Sequence, residues 1–213
     1  MNIMYIFAKI LKKIQISAIK NSNIHATAKI ASSSNIVNST LMKYSYIGNY
    51  CTVVDTKIAS FCSVSDNVVI GGASHPMEWA STSPVFHQGK NILNKNFSEH
   101  PFNPTMKTII ENDVWIGTGA LIKSGVKICN GAVVGMGSVV TKDIGEYEIW
   151  AGNPAKFIRK RFDDLTIEIL VSSRWWELTD EEVKEFSFFI NDKEKFTNFL
   201  LEKITGDNIV SKF

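Results

Sequence analysis

Branched apolar residues recur every sixth position along most of this chain: Ile24, Ile30, Ile36, then Leu41, Ile47, Val53, Ile58, Val64 and Ile70, with two intervals of five. After a gap the rhythm returns in step at Ile110, Ile116, Ile122, Ile128, Val134 and Val140. The residue that follows is often small, as at Ala31, Gly48, Ala59, Gly71, Gly117, Cys129 and Gly135. The fourth residue after it is small or β-branched, as at Ser34, Thr40, Cys51, Cys62, Val68, Val114, Ala120, Val126, Ala132 and Ser138. A six-residue period matches neither the 3.6 of a helix nor the simple alternation of a half-buried strand. It suits a coil whose sides are short strands joined by tight turns, with each apolar residue stacked on its equivalent one coil away. Small residues let the backbone bend at the turns, and glycine supplies positive φ where a turn demands it.

The coil pattern disposes of the cysteines as well. Cys51, Cys62 and Cys129 all stand in small-residue slots, and without CxxC or Cys/His spacing they signal neither a disulfide framework nor a zinc site. A reducing, cytoplasmic setting fits them. With 23 Lys and Arg against 21 Asp and Glu, there is no basic excess of the kind nucleic-acid binding needs.

Two flanking segments follow other rules. In residues 1–22, Ile3, Ile6, Phe7, Ile10, Leu11, Ile14 and Ile19 stand near helical spacing with Lys9, Lys12, Lys13 and Lys20 among them, which predicts an amphipathic helix. It has no apolar run of about 20 residues and no signal-peptide pattern. Packing on its own domain is the expected role; peripheral contact with an anionic membrane is the alternative. Beyond the coil domain of residues 23–160, residues 161–213 predict a helical extension. Asp163 or Asp164 can cap its first helix, and Thr179 with Glu182 forms a capping box for the next.

Between residues 71 and 108 no hexad can be drawn. So long a loop inside a compact domain implies a task such as lining a site. It holds His75, His87 and His100 together with Pro76, Pro84, Pro101 and Pro104. Gly71 and Gly72 permit a sharp exit from the coil, and Pro76 biases His75 to an extended backbone. Histidine is suited to take a proton from an alcohol near neutral pH. Polar neighbours Ser81, Thr82, Ser83, Gln88 and Asn91 favour a hydroxylated acceptor. His87 and His25 read as ordinary polar positions, and His100, which also precedes proline, is the rival to His75. Trp115, in NDVWIG, falls in a slot that faces out of the coil, so a ligand or a second subunit is expected to cover it.

These hexads resemble the hexapeptide-repeat acyltransferases, which form a left-handed parallel β-helix and assemble as trimers. The resemblance runs from about Ile24 to Arg161. SHPxxW followed by STSPVF, and the segment RFDDLTIEILVSSRWWEL, are similar to the xenobiotic acetyltransferase branch, with its chloramphenicol and streptogramin enzymes, and to related bacterial sugar O-acetyltransferases. The resemblance implies that His75 is the catalytic base and that Trp115 lines a site formed between adjacent subunits of a homotrimer. It implies further that the N–H of Thr118, after Gly117, holds the thioester oxygen, and that acetyl-CoA is the donor. Gly135, Met136, Gly137, Thr141, Lys142, Asn153, Pro154, Lys156 and Arg159 match the coenzyme A segment, Met136 standing where alanine is common. Trp175 and Trp176 are expected to pack.

The function implied is direct acetyl transfer to a hydroxyl of a sugar in a bacterial surface polysaccharide or its precursor, in the cytoplasm, with the inner face of the membrane as the alternative place of work. An antibiotic acceptor is the alternative, and a catalytically silent trimeric scaffold or binding module is the alternative of another class. The γ-carbonic anhydrases share such a coil, but they need a histidine set that this coil, with His25 alone, does not carry; no metal is expected.

Overall fold

A computed structural model describes residues 3–210. The hexads wind into a three-sided parallel β-helix whose faces hold six, five and seven strands. The first face stacks Ala18–Lys20, Asn35–Val37, Thr52–Val54, Val69–Ile70, Leu121–Ile122 and Val139–Val140. The second stacks Asn23–Ile24, Thr40–Leu41, Thr56–Ile58, Thr108–Ile110 and Lys127–Ile128. The third runs through Lys29–Ile30, Tyr46–Ile47, Ser63–Val64, Trp115–Ile116, Val133–Val134 and Glu148–Gly152, and Ala155–Lys160 closes it as an antiparallel partner. The coil therefore begins at Ala18, inside the stretch expected to be helical, and resumes after the loop at Thr108.

The register explains the period. Ile36, Val53, Ile70, Ile122 and Val140 lie over one another along the first face, and Ile47, Val64, Ile116 and Val134 along the third. All are at most 2% exposed, and together they are the core of the coil. Each such aliphatic side chain contributes about 1.5–3 kcal/mol when fully buried. The small slots are buried too: Cys51 and Cys62 are enclosed, and burial pushes the Cys62 thiol up to about 12.

Both five-residue intervals, Ile36 to Leu41 and Val53 to Ile58, fall at the same corner, between the first and second faces. There Asn38 and Asp55 turn with φ of 50° and 48°, and the Asn38 amide donates to the Asp55 carboxylate at 3.2 Å. One coil further on, this corner opens into the long loop. Gly71 makes the exit: its φ is +74°, and a Cβ there would lie 2.1 Å from the Val54 carbonyl oxygen, so no other residue fits.

Helix α1 (Ile3–Ile14) precedes the coil and α2 (Asp164–Ser173), α3 (Asp180–Phe186) and α4 (Lys193–Val210) follow it. The last three gather on the corner between the second and third faces. Trp175 is buried there against Phe61, with ring centroids 5.0 Å apart, and against Trp176 and Phe186. Lys43 donates to the Leu178 carbonyl at 2.7 Å, and Tyr44 hydrogen-bonds Asp180. Asp163 caps α2 by accepting from the Thr166 N–H at 2.9 Å, and the capping box of Thr179 and Glu182 opens α3. The expectation for α1 needs correction: the coil does not cover its apolar side, and Ile3, Phe7, Ile10 and Ile14 are all more than half exposed. Among the described residues, no helix is long and apolar enough to cross a membrane.

Candidate active site

The loop is stitched to itself. At its base the Ser74 N–H and hydroxyl both donate to the Pro104 carbonyl, at 2.7 and 3.1 Å. The Asn96 amide donates to the His87 carbonyl at 2.8 Å, and the Gln88 N–H donates to the His100 carbonyl at 3.0 Å. On this frame His75 is exposed, and its Nδ1 lies 2.8 Å from the carbonyl oxygen of Thr82. A carbonyl only accepts, so the hydrogen of the neutral imidazole belongs on Nδ1 and the lone pair on Nε2. The ring is thereby held in one tautomer with a free basic nitrogen.

His87 is not the ordinary polar residue expected. It is 7% exposed, with rings packed around it: Trp79 edge-on at 5.3 Å, Phe102 at 4.8 Å and His75 at 6.2 Å between centroids. His100 stands edge-on to the same Trp79 at 5.6 Å. Beside this cluster opens a cavity of about 590 Å³ whose walls include Trp79, Ser81, Phe86, Ser98 and His100. It offers an aromatic platform with hydroxyls and an imidazole at its edge.

Trp115 stands on the outer side of the third face, 51% exposed, in line with Tyr46, Ser63, Val133 and Ile149. A second cavity, of about 460 Å³, lies against it, with Asp113, Arg159, Arg161 and Phe162 in its wall. Arg161 pairs with Asp113 at 3.0 Å; burial raises the Asp113 carboxyl above its ordinary value and the guanidinium opposes that rise.

The chain then turns at the corner between the third and first faces. Gly117 and Gly135 occupy one level of that corner on successive coils, packed so closely that a Cβ on Gly117 would lie 2.6 Å from the Met136 nitrogen. Thr118 is exposed at the turn; its carbonyl accepts from the Gly137 N–H at 2.8 Å, while its own N–H makes no hydrogen bond among the described residues. Such an unspent donor on a rigid turn is what an oxyanion requires. Met136 is 80% exposed at the next turn, and Asn153 and Pro154 follow at the third turn of the same corner. Lys156 and Arg159 lie on the adjoining strand, paired with Ala151 and Ile149.

The residues singled out in the sequence thus fall into two groups. Trp115, Gly117, Thr118, Gly135, Met136, Gly137, Asn153, Pro154, Lys156 and Arg159 share the third face and the corner beyond it. His75, Thr141 and Lys142 belong to the other end of the first face: the loop leaves that corner after Ile70, and Thr141 and Lys142 follow Val140 there two coils later. The width of the first face, with the strand Leu121–Ile122 at its middle, separates these corners. The carbonyl of Thr82, which orients His75, and the burial of His87 have no side-chain signature in the sequence.

Glu111, Cys129 and Glu146 bring potential ligand atoms within 4.8 Å of one another at the helix-bearing corner. Lys127 bonds Glu111 at 2.8 Å there, and the Asn130 amide donates to both carboxylates, at 3.0 and 3.3 Å. The lysine already supplies the cationic charge, so this cluster reads as a stitch between coils.

Residues 107–142 match the family model described as bacterial transferase hexapeptide (six repeats). A chloramphenicol acetyltransferase of Agrobacterium fabrum is 42% identical over 130 residues, 60% of this chain and 62% of that protein. A probable macrolide acetyltransferase of Lysinibacillus sphaericus is 38% identical over 130 residues, 59% of this chain and 71% of that protein. The match therefore spans about three-fifths of the length of the first of these relatives. Among solved structures, AntD, an N-acyltransferase from Bacillus cereus in complex with dTDP and 3-hydroxybutyryl-CoA, aligns with a TM-score of 0.48 and 23% identity, over 78% of this chain and 95% of that one. With its hexads, its three-faced coil and these relatives, the chain belongs to the bacterial hexapeptide-repeat transferases.

Proposed function

We propose that the protein is an acetyl-CoA-dependent O-acetyltransferase, working as a homotrimer whose sites lie between adjacent chains. The observation that carries this reading is the His75 ring, fixed through Nδ1 by the Thr82 carbonyl at 2.8 Å with Nε2 left as a base. His75 Nε2 takes the proton of an acceptor hydroxyl as that oxygen bonds to the acetyl carbon. The N–H of Thr118 holds the charge that develops on the carbonyl oxygen. When the carbon–sulfur bond breaks, His75 returns the proton to the departing thiolate, and both groups end as they began.

The division of the residues into two groups supports the trimer. One chain hangs the base on the loop that leaves one corner, and holds the proposed oxyanion donor, Trp115 and the basic strand at another. A threefold assembly brings the first group of one chain to the second group of its neighbour. The small residues Gly117, Gly135 and Gly137 leave room for an extended pantetheine arm, and Lys156, Arg159 and the neighbour's Lys142 suit its phosphates.

The acceptor in this reading is a sugar hydroxyl of a surface polysaccharide or its precursor. The cavity beside Trp79 supports it, since an aromatic face with Ser81, Ser98 and His100 at its rim matches the apolar face and hydroxyl edge of a pyranose. A second reading, an antibiotic acceptor, is favoured by the chloramphenicol acetyltransferase at 42% identity. Thiol release from acetyl-CoA, followed across nucleotide sugars, oligosaccharides and chloramphenicol, separates them. Turnover with sugars is expected, and turnover with chloramphenicol alone selects the second reading. Silence with tight acetyl-CoA binding by calorimetry overturns both acceptors, and silence without binding restores a non-catalytic scaffold.

A further inference from the structure

Residues 1–54 hold six lysines, at positions 9, 12, 13, 20, 29 and 43, and no aspartate or glutamate. Taking these six from the 23 basic residues leaves 17 against all 21 acidic ones, so the remainder is acidic on balance. In most folds such an asymmetry would be scrambled in space. A coil that climbs steadily along one axis turns sequence position into height, so α1 and the first coil, with Lys9, Lys12, Lys13, Lys20 and Lys29, form a basic end, while α3 sets Asp180 and Glu181 beside Tyr44 on the second coil.

Helix α1 sits at that end. Ile3, Phe7, Ile10 and Ile14, between 52% and 78% exposed, fall within an arc of about 60° at helical spacing, and Ile16 just beyond is 88% exposed. The junction is anchored: Ser33 donates its N–H to the Gln15 carbonyl at 3.1 Å and its hydroxyl to the Gln15 side chain at 2.8 Å. The Tyr50 hydroxyl lies 3.2 Å from the same Gln15 oxygen. At 12 residues the helix is about 18 Å long, too short to span a bilayer but suited to lying in its surface.

We infer that α1 docks the basic end of the coil on an anionic lipid surface, with the apolar stripe in the acyl boundary and the basic end against the headgroups. Charge complementarity selects lipid over a second copy of this chain, because two copies would bring together two segments that carry lysines and no acidic residue. In the proposed trimer, the one point that rests on the preceding section, threefold symmetry puts all three helices at the same end and makes the contact trivalent.

Flotation of the full chain with vesicles of phosphatidylcholine, alone or mixed with phosphatidylglycerol, tests this without reference to catalysis. Binding to the mixed vesicles is expected, with little to phosphatidylcholine alone. The triple variant Lys9→Gln, Lys12→Gln, Lys13→Gln should lower partitioning at least roughly 100-fold, at about fivefold per lysine for a single helix, and by more where three helices bind together. Phe7→Asp with Ile10→Asp should abolish it while leaving the melting temperature and the assembly mass, read by light scattering, unchanged. Absence of binding to mixed vesicles, or binding indifferent to the aspartate pair, overturns the inference. So does a fall in assembly mass in the aspartate pair, which would mark α1 as a contact between chains.

Discussion

Gly117→Ala tests the corner on which the proposed oxyanion donor depends, with Gly137→Ala as its counterpart. Gly117 does not have positive φ, so an alanine there suffers no backbone strain. Its difficulty is space: the new methyl would meet the Met136 nitrogen at 2.6 Å and the Gly135 carbonyl carbon at 2.9 Å. These neighbours are backbone, and they are pinned by Gly117 N–H to Val134, Gly135 N–H to Trp150 and Gly137 N–H to Thr118, each at 2.8 Å. Relief requires two hydrogen-bonded coils to part by over half an ångström, which puts the cost near the top of the overpacking range, about 3 kcal/mol. Gly137 is the reverse case. Its φ is +66° and nothing lies within 4 Å of its Cβ position. At the equivalent turn Ser33, Tyr50 and Asn67 adopt φ of 61°, 58° and 59°, so alanine there should cost about 1 kcal/mol. For a chain of this size the expected fall in melting temperature is about 6–12 °C for Gly117→Ala and about 2–4 °C for Gly137→Ala. Below its melting point Gly117→Ala should also lose turnover by up to about 100-fold, because the Thr118 N–H is carried on the displaced turn. Scanning calorimetry and thiol release read the two effects. A Gly117→Ala protein that melts within about 2 °C of the parent, or a Gly137→Ala protein that suffers more, would refute the reasoning.

Three further outcomes are expected. His75→Ala should lower turnover roughly 100- to 10,000-fold with the assembly mass unchanged, the usual contribution of a general base; near-normal turnover would remove the role given to His75. Trp175→Ala, at the junction of the helices with Phe61, should cost about 3–5 kcal/mol and expose α2 to α4 to proteolysis before the coil; equal resistance of the two parts would count against that junction. On acidification the same helices should loosen first. The Lys203 ammonium, 2.5 Å from Glu182, together with the Thr179 N–H and hydroxyl, holds the Glu182 carboxyl at about 2, below its ordinary 4.5. Asp163 is likewise depressed, by the Thr166 N–H and by Lys193. A depressed carboxyl stabilises the fold fully above its unfolded value, and that contribution is lost as pH falls through the folded one, here between about 4.5 and 2. Tryptophan fluorescence should change across this window ahead of the β signal, and Glu182→Gln should flatten the early change.

The coil was legible because its constraint is repeated: every sixth residue meets the same neighbours, so one pattern is printed many times over. The caps of α2 and α3 were legible for the opposite reason, being local bonds between residues three apart. The sequence shows the two five-residue intervals but not their place, and both lie at the corner from which the loop later grows. The covering of α1 was misread, since amphipathicity shows that a helix has an apolar face and not what that face meets. His87 was misread too, because its burial depends on Trp79 and Phe102 folding over it from both sides of the loop.

By itself the sequence determined the period, the exit at Gly71 and the residue types available for the proposed acyl transfer, since these depend on what each residue is and on its near neighbours. Only the tertiary structure decided which side of the prism each one occupies. It hung His75 on one corner, bound to a backbone carbonyl that no residue type announces, and set Trp115 and Thr118 beyond another. That separation follows from closing a one-dimensional repeat into a three-sided coil, where residues dozens apart share an edge and residues within one hexad can face different directions.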